Sequence, residues 1–171
     1  FAHSLAGTDG RPAMWIEVPA SSGTQRRDGT SWARPAEAEA ISSQLTQWIT
    51  SPEGERLSFG IISFYKAQAD RTRDLLRERL GSELVDSPRI RVGTVDSFQG
   101  MEFDVVFLSV VRTLADGGRR PGLDRDRQAR SIFGHLGLYN RLNVSMSRQK
   151  RLLVVVGDPA LVTNDLAAEY I

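Results

Sequence analysis

The run at residues 105–111 (VVFLSVV) most narrows what this chain can become. It is apolar throughout except for Ser109, so it presents no polar face alternating with an apolar one. A half-exposed strand alternates with period two. A continuous β-branched run fits a strand buried on both faces, as in a parallel sheet covered by helices. A similar run, 90–95, stands just before it, and the polar segment Asp96-Ser97-Phe98-Gln99-Gly100-Met101-Glu102 joins the two. Ligands of open parallel sheets bind at the carboxyl ends of strands, which singles out Thr94, Asp96 and Ser97.

The rest of the chain supplies the layers. Short apolar strands are expected at 14–18, 57–64 and 152–156, the first bounded by Pro12 and Pro19. A helix starts near Pro35, whose fixed φ suits a first turn, and ends at Pro52 and Gly54. Ala38, Ile41, Leu45, Trp48 and Ile49 share one face of it, which makes Trp48 a core residue. A second helix runs to Leu80 and is closed by Gly81; its outer face pairs Asp70 with Arg73 and Asp74 with Arg77. Further helices are expected at 138–149 and 160–171. Residues 20–34 read as a surface loop, 1–12 as a flexible lead-in, and 113–131, with adjacent glycines and mixed charge, as a loop insertion. Strands alternating with helices over 13–171 predict a single α/β domain with a mostly parallel sheet.

Composition enters mainly by exclusion. With no cysteine and only two histidines, His3 and His135, thiolate chemistry and multi-histidine metal sites are ruled out. No apolar stretch spans a bilayer and no signal-peptide pattern occurs, so no membrane partner is expected and a cytoplasmic location is the default expectation. The net charge of +1 announces no nucleic-acid binder. All basic residues but Lys66 and Lys150 are arginine, whose planar fork suits phosphate and carboxylate. The chain begins at Phe1, which suggests a piece of something longer.

Two segments hold candidate chemistry. In the expected helix at 138–149, Leu138, Leu142, Ser145 and Met146 form a core-facing stripe. Arg141 and Arg148, seven apart, border it on one side. They could serve anionic oxygens, or equally anchor carboxylates within the fold. In the polar turn, Gly100 permits close backbone approach and its neighbouring amides could face phosphate. Ser97, Gln99 and Glu102 could bond sugar hydroxyls or phosphate oxygens. An ordinary polar β-turn accounts for the same residues.

The order of the segments adds what neither holds alone. Residues 59–68 (FGIISFYKAQ), 93–112 (GTVDSFQGMEFDVVFLSVVR) and 139–151 (YNRLNVSMSRQKR) resemble motifs IV, V and VI of superfamily 1 helicases, in the up-frameshift-like branch. The second matches Val-Asp-x-Phe-Gln-Gly-x-Glu-x-Asp, and the third Arg-Leu-Asn-Val-x-x-(Ser/Thr)-Arg. Gly29-Thr30-Ser31 and Glu37-Ala38 resemble the stretch before that lobe's first helix, although Arg34 stands where the family often has Asn, and the segment is assigned no role. The resemblance implies a three-layer RecA-like domain of the P-loop NTPase type, the second lobe of a helicase.

Carried over residue by residue, the resemblance makes Arg148 an arginine finger for the γ-phosphate of ATP held between two lobes. It turns Gly100 and Glu102 toward the nucleotide and makes Arg141 and Gln99 couplers between motifs. Ser63, Tyr65, Thr94 and Ser97 become contacts to single-stranded DNA or RNA. No Gly-x-x-x-x-Gly-Lys-(Ser/Thr) occurs in the chain, and the Mg²⁺-holding acidic motif is missing too. ATP and Mg²⁺ are therefore expected to be held mainly by a first RecA-like lobe of the same polypeptide, and the isolated chain, expected to be monomeric, to be inactive. The alternative is a non-catalytic helicase-like module that binds nucleic acid or a protein partner; a phosphate-binding loop one domain upstream separates the two.

Overall fold

A computed structural model describes residues 2–115 and 121–171, without the side chain of Tyr139. Five parallel strands form its main sheet: β1 (Ala13–Glu17), β4 (Phe59–Ser63), β5 (Ile90–Thr94), β6 (Phe103–Ser109) and β7 (Gln149–Gly157). Their order is β1-β7-β6-β4-β5. β4, next to the central β6, is buried along its whole length, and β6 everywhere but at Asp104. Alternate residues of β6 enter opposite cores. Val105 and Phe107 pack with Ile41, Leu45 and Trp48 of α1 (Pro35–Ile49). Val106 and Leu108 pack with Ile132 and Phe133 of α4 (Arg125–Phe133) and with Leu161. The unbroken apolar run is thus explained, since each face of β6 has its own helical cover. Each buried large side chain contributes roughly 1.5–3 kcal/mol. The three-layer α/β architecture is the one the sequence predicts.

Trp48 lies in the first core, 1% exposed, its ring centroid 5.7 Å from that of Phe107. Its indole N–H donates to the carbonyl of Ala6, and Leu5 is buried beside it, so the start of the chain carries an anchor that its composition does not advertise. The glycine-rich stretch that joins β1 to α1 also holds structure. A hairpin of β2 (Arg26–Asp28) and β3 (Ser31–Ala33) replaces the expected surface loop. Gly29 supplies a φ of +58° at the first position of its two-residue turn, which a type II′ hairpin reserves for glycine.

Other boundaries shift for local reasons. The centre of the expected insertion, residues 116–120, lies outside the described residues. Its end is helical: the Asp124 carboxylate accepts from the Arg127 amide and starts α4. The helix expected at 138–149 is α5 (Tyr139–Met146), and Gln149 already belongs to β7. Hydroxyls of Ser145 and Ser147 bond back to the carbonyls of Leu142 and Val144, a competition that weakens a helix end. The terminal helix contracts to α6 (Asp165–Tyr170), capped by Asn164. α2 (Lys66–Leu80) matches expectation, and the short α3 (Ser82–Val85) follows it.

Candidate functional site

A buried polar knot fixes the carboxyl end of β6. Glu37, in the first turn of α1, accepts from the Ser109 hydroxyl at 2.6 Å and from the Val111 amide with both oxygens at 2.9 Å. Arg34 donates to it at 3.1 Å, and neither side chain is exposed. The remaining Arg34 donors go to the carbonyls of Gly23, Val18 and Pro19. Gln68 of α2 accepts from the Arg34 amide and donates to Ser109. Burial pushes the Glu37 carboxyl up to about 7, against the hydrogen bonds from Ser109 and Val111 and the Arg34 charge. Val111 is held at a φ of +68°, which a β-branched residue rarely adopts, and this aims Arg112. The sequence reading gave Arg34 no role. The signal that could have found the knot was Ser109, the single polar residue in the apolar run.

Ser63, Tyr65, Thr94 and Ser97 gather near this end of the sheet, where Ser63 pairs with Thr94 and Ser109. They differ in availability. Ser63 is 1% exposed and its hydroxyl accepts from the Tyr65 amide, so it shapes the turn into α2 and offers nothing to a strand. Tyr65 is buried over most of its ring and meets His135 edge-on. Thr94 and Ser97 are half-buried, and the Ser97 hydroxyl donates to the Thr94 carbonyl at 2.7 Å.

The other candidates lie across the sheet, where β6 and β7 begin. The connection from Val95 to Glu102 leaves the carboxyl end of β5, passes over β4 and enters β6 at the opposite end. Its buried Phe98 and the nearby Phe103 lie on Gly60: a Cβ on Gly60 would sit 2.9 Å from Phe98 and 3.1 Å from Phe103. Gln99, Gly100 and Glu102 are exposed, with Gly100 at φ +77°. The Phe103 amide donates to the Arg148 carbonyl at 3.0 Å, which sets Arg148 beside Glu102. The Arg148 guanidinium leans on its own turn, donating to the Val144 carbonyl and the Ser147 hydroxyl. It pairs with no carboxylate among the described residues.

Two expectations about α5 are corrected here. Arg148 lies beyond the helix end, so it does not share a helical side with Arg141. The core-facing stripe holds at Leu142 and Ser145 but not at its ends: Leu138 is 49% and Met146 43% exposed, and Val144 turns inward as well. Arg141 spans the gap between segments, donating to Asp96 at 2.8 Å and lying 3.5 Å from His135 Nδ1. The Gln99 side chain has no such contact among the described residues. Burial, with the Arg141 and Arg112 charges, holds the His135 pKa below the usual range. No group of three potential metal ligands occurs among the described residues.

A family model described as an AAA domain matches residues 3–160. The chain belongs to that AAA domain family. This AAA domain is 33% identical over 147 residues to the human RNA helicase Mov10l1, covering 84% of this chain and 11% of that protein. It is 39% identical over 101 residues to the DNA polymerase alpha-associated DNA helicase A of Saccharomyces cerevisiae, covering 59% of this chain and 12% of that protein. The AAA domain thus spans roughly a ninth of the curated relatives it matches. In fold it is similar to the C-terminal domain of a possible DNA helicase from Lactobacillus plantarum WCFS1, with a TM-score of 0.50 at 18% identity, covering 95% of this chain and 87% of that one. It is a C-terminal lobe of the superfamily 1 helicase type, with a RecA-like fold.

Proposed function

We propose that this lobe works in an ATP-dependent helicase, where it supplies Arg148 to the γ-phosphate of ATP and one wall of the track for single-stranded DNA or RNA. The observation that carries the reading is the pairing of Phe103 with Arg148: one backbone hydrogen bond sets beside the exposed Gly100–Glu102 turn an arginine that meets no carboxylate among the described residues. An unpaired guanidinium and a glycine turn fit the outer phosphates of a nucleotide held from the other side. Exposed Met101, within that turn, and Met146, two residues before Arg148, suit contact with a preceding RecA-like lobe.

ATP with Mg²⁺, cradled by that preceding lobe, supplies the phosphoanhydride bond to be cleaved. Arg148 brings positive charge to the oxygens of the transferring group, where negative charge spreads in the transition state. Glu102 and Gly100 line the same rim. Arg141, through Asp96, ties this rim to the segment that follows β5, where Thr94 and Ser97 face the strand. The contacts address the sugar–phosphate backbone and carry no base information.

The test is Arg148→Ala in the intact gene product. ATP affinity is expected to stay within a few-fold, while nucleic-acid-stimulated ATPase falls by about 10³ or more. Unchanged turnover rejects the finger. Calorimetry of the 171-residue chain with ATP is expected to give no heat of binding, because the chain has no phosphate-binding loop.

A further inference from the structure

The hairpin β2–β3 has no part in the reading above, yet it walls a cleft at the carboxyl end of the sheet. This cleft, of about 310 Å³, is bounded by Arg27 and Trp32 of the hairpin, Tyr65 and Lys66 at the start of α2, and Arg112 and Gly134. We propose that it binds one sugar–phosphate unit of the single strand, as a nucleic-acid subsite beyond Thr94 and Ser97. The proposal rests on the reading that the strand crosses the carboxyl ends of the sheet.

Four observations carry it. First, the charge is of one sign: no carboxylate among the described residues lines the cleft, although Lys66 at its border pairs with Asp70 of the larger groove next to it, which Asp28, Glu39, Asp74 and Glu78 also line. Second, the arginines have donors to spare. Arg112, only 8% exposed, donates through Nε and one terminal nitrogen to the carbonyls of Ile132 and Ser131, and neither it nor Arg27 pairs with a carboxylate among the described residues. A buried guanidinium whose charge meets only carbonyls and one aromatic ring is costly unless an anion completes it.

Third, the space beside Arg112 is kept open. Gly134, at φ +55°, lies where a Cβ would come within 2.6 Å of the Tyr65 hydroxyl and 3.8 Å of the free terminal nitrogen of Arg112. That hydroxyl makes no hydrogen bond among the described residues. A phosphate oxygen needs such a convergence of one hydroxyl and one guanidinium N–H. Fourth, the cleft is continuous with the strand-facing surface, because Lys66 borders both it and the neighbouring cavity that holds Thr94 and Ser97.

The aromatic wall suits a nucleotide better than a free anion. The Arg27 guanidinium lies 4.4 Å from the Trp32 ring centroid and that of Arg112 5.1 Å, so planar groups already stack there. Aromatic and arginine platforms accept any base, which matches a protein that must step along every sequence.

The test uses the intact gene product with oligo-uridine and oligo-deoxyuridine strands, each carrying 5-iodouracil, for salt titration and photo-cross-linking. The double variant Arg27→Gln/Lys66→Gln removes two exposed cations from the cleft. Arg56→Gln/Arg71→Gln removes two elsewhere and serves as the charge-matched control. The expected result is cross-links at Trp32 or Tyr65 with the ribose strand, the deoxyribose strand or both. Affinity of the cleft variant should fall on the order of tenfold near 0.1 M salt, and its slope of log affinity against log salt by about 0.7, as one lost phosphate contact on a single strand requires. The control should titrate like the parent. Strands that bind and cross-link only around Thr94 and Ser97, with the cleft variant unchanged, overturn the subsite and leave the strand track standing. Absence of binding by either strand overturns both.

Discussion

Arg34 and Arg148 are the same amino acid in opposite circumstances. Arg34 is wholly buried and spends its guanidinium on the carbonyls of Val18, Pro19 and Gly23 and on Glu37. Arg148 is half-exposed and, among the described residues, its guanidinium hydrogen-bonds only to its own turn. An arginine whose donors are filled from several elements holds those elements together. One that leans on its own helix end is left for something outside the fold. The contrast separates a charge spent inside the fold from one that the proposed function can use.

The contrast can be broken most decisively at Arg148. Arg148→Ala should leave the urea midpoint of the lobe within about 0.5 kcal/mol of the parent, while stimulated ATPase falls by about 10³ or more. A large stability loss there would collapse the distinction. Glu37→Ala should behave in the reverse way, since it strands the buried Arg34 charge and frees the Val111 amide. A loss of about 3–5 kcal/mol in urea unfolding is expected. A loss under about 1 kcal/mol would mean that the knot contributes little.

Acidity probes the same knot more gently. Because burial holds the folded Glu37 pKa near 7, above its ordinary value of 4.5, the folded state binds the extra proton between those limits. Its contribution is full below about pH 4.5 and is lost as pH rises through 7, about 3 kcal/mol at most. Urea midpoints from pH 4.5 to 8 should show this slope in the parent and lose it in Glu37→Gln. A parent curve that matches the variant's would place the Glu37 proton elsewhere.

Gly60→Ala tests the passage beneath the 95–102 connection: a methyl 2.9 Å from Phe98 overpacks the core, with an expected loss of about 1–3 kcal/mol. The smallest effect is expected from Asp96→Asn. Its ion pair with Arg141 is 2.8 Å long but lies at the surface, so stability should change by less than about 1 kcal/mol. Any larger consequence should appear in ATPase stimulation by nucleic acid.

What the sequence made legible follows from where the physics is local. The buried run at 105–111 foretold a helix-covered parallel sheet because burial on both faces writes itself into consecutive residues. Trp48 was readable as core from helical periodicity alone. The β2–β3 hairpin was not, because its strands are too short to show alternation and Asp28-Gly29 is a weak mark amid many polar residues. The end of α5 was missed because serine back-bonding depends on where the next strand must start. Ser63 could be numbered among strand contacts but not seen to be buried, since that depends on α2 closing over it. The Arg34–Glu37 pair was present at helix spacing, yet its partners Ser109 and Val111 are more than 70 residues away.

The 95–102 connection has a mechanical meaning. Its middle, Phe98, is clamped against a strand residue with no side chain and no slack, while its tip at Gly100–Met101 stands free. A member pinned at its centre and loaded at one end acts as a rocker. At the far end of that member Asp96 grips Arg141 and Ser97 rests on Thr94. The residue that makes this lever stiff is the smallest one in β4.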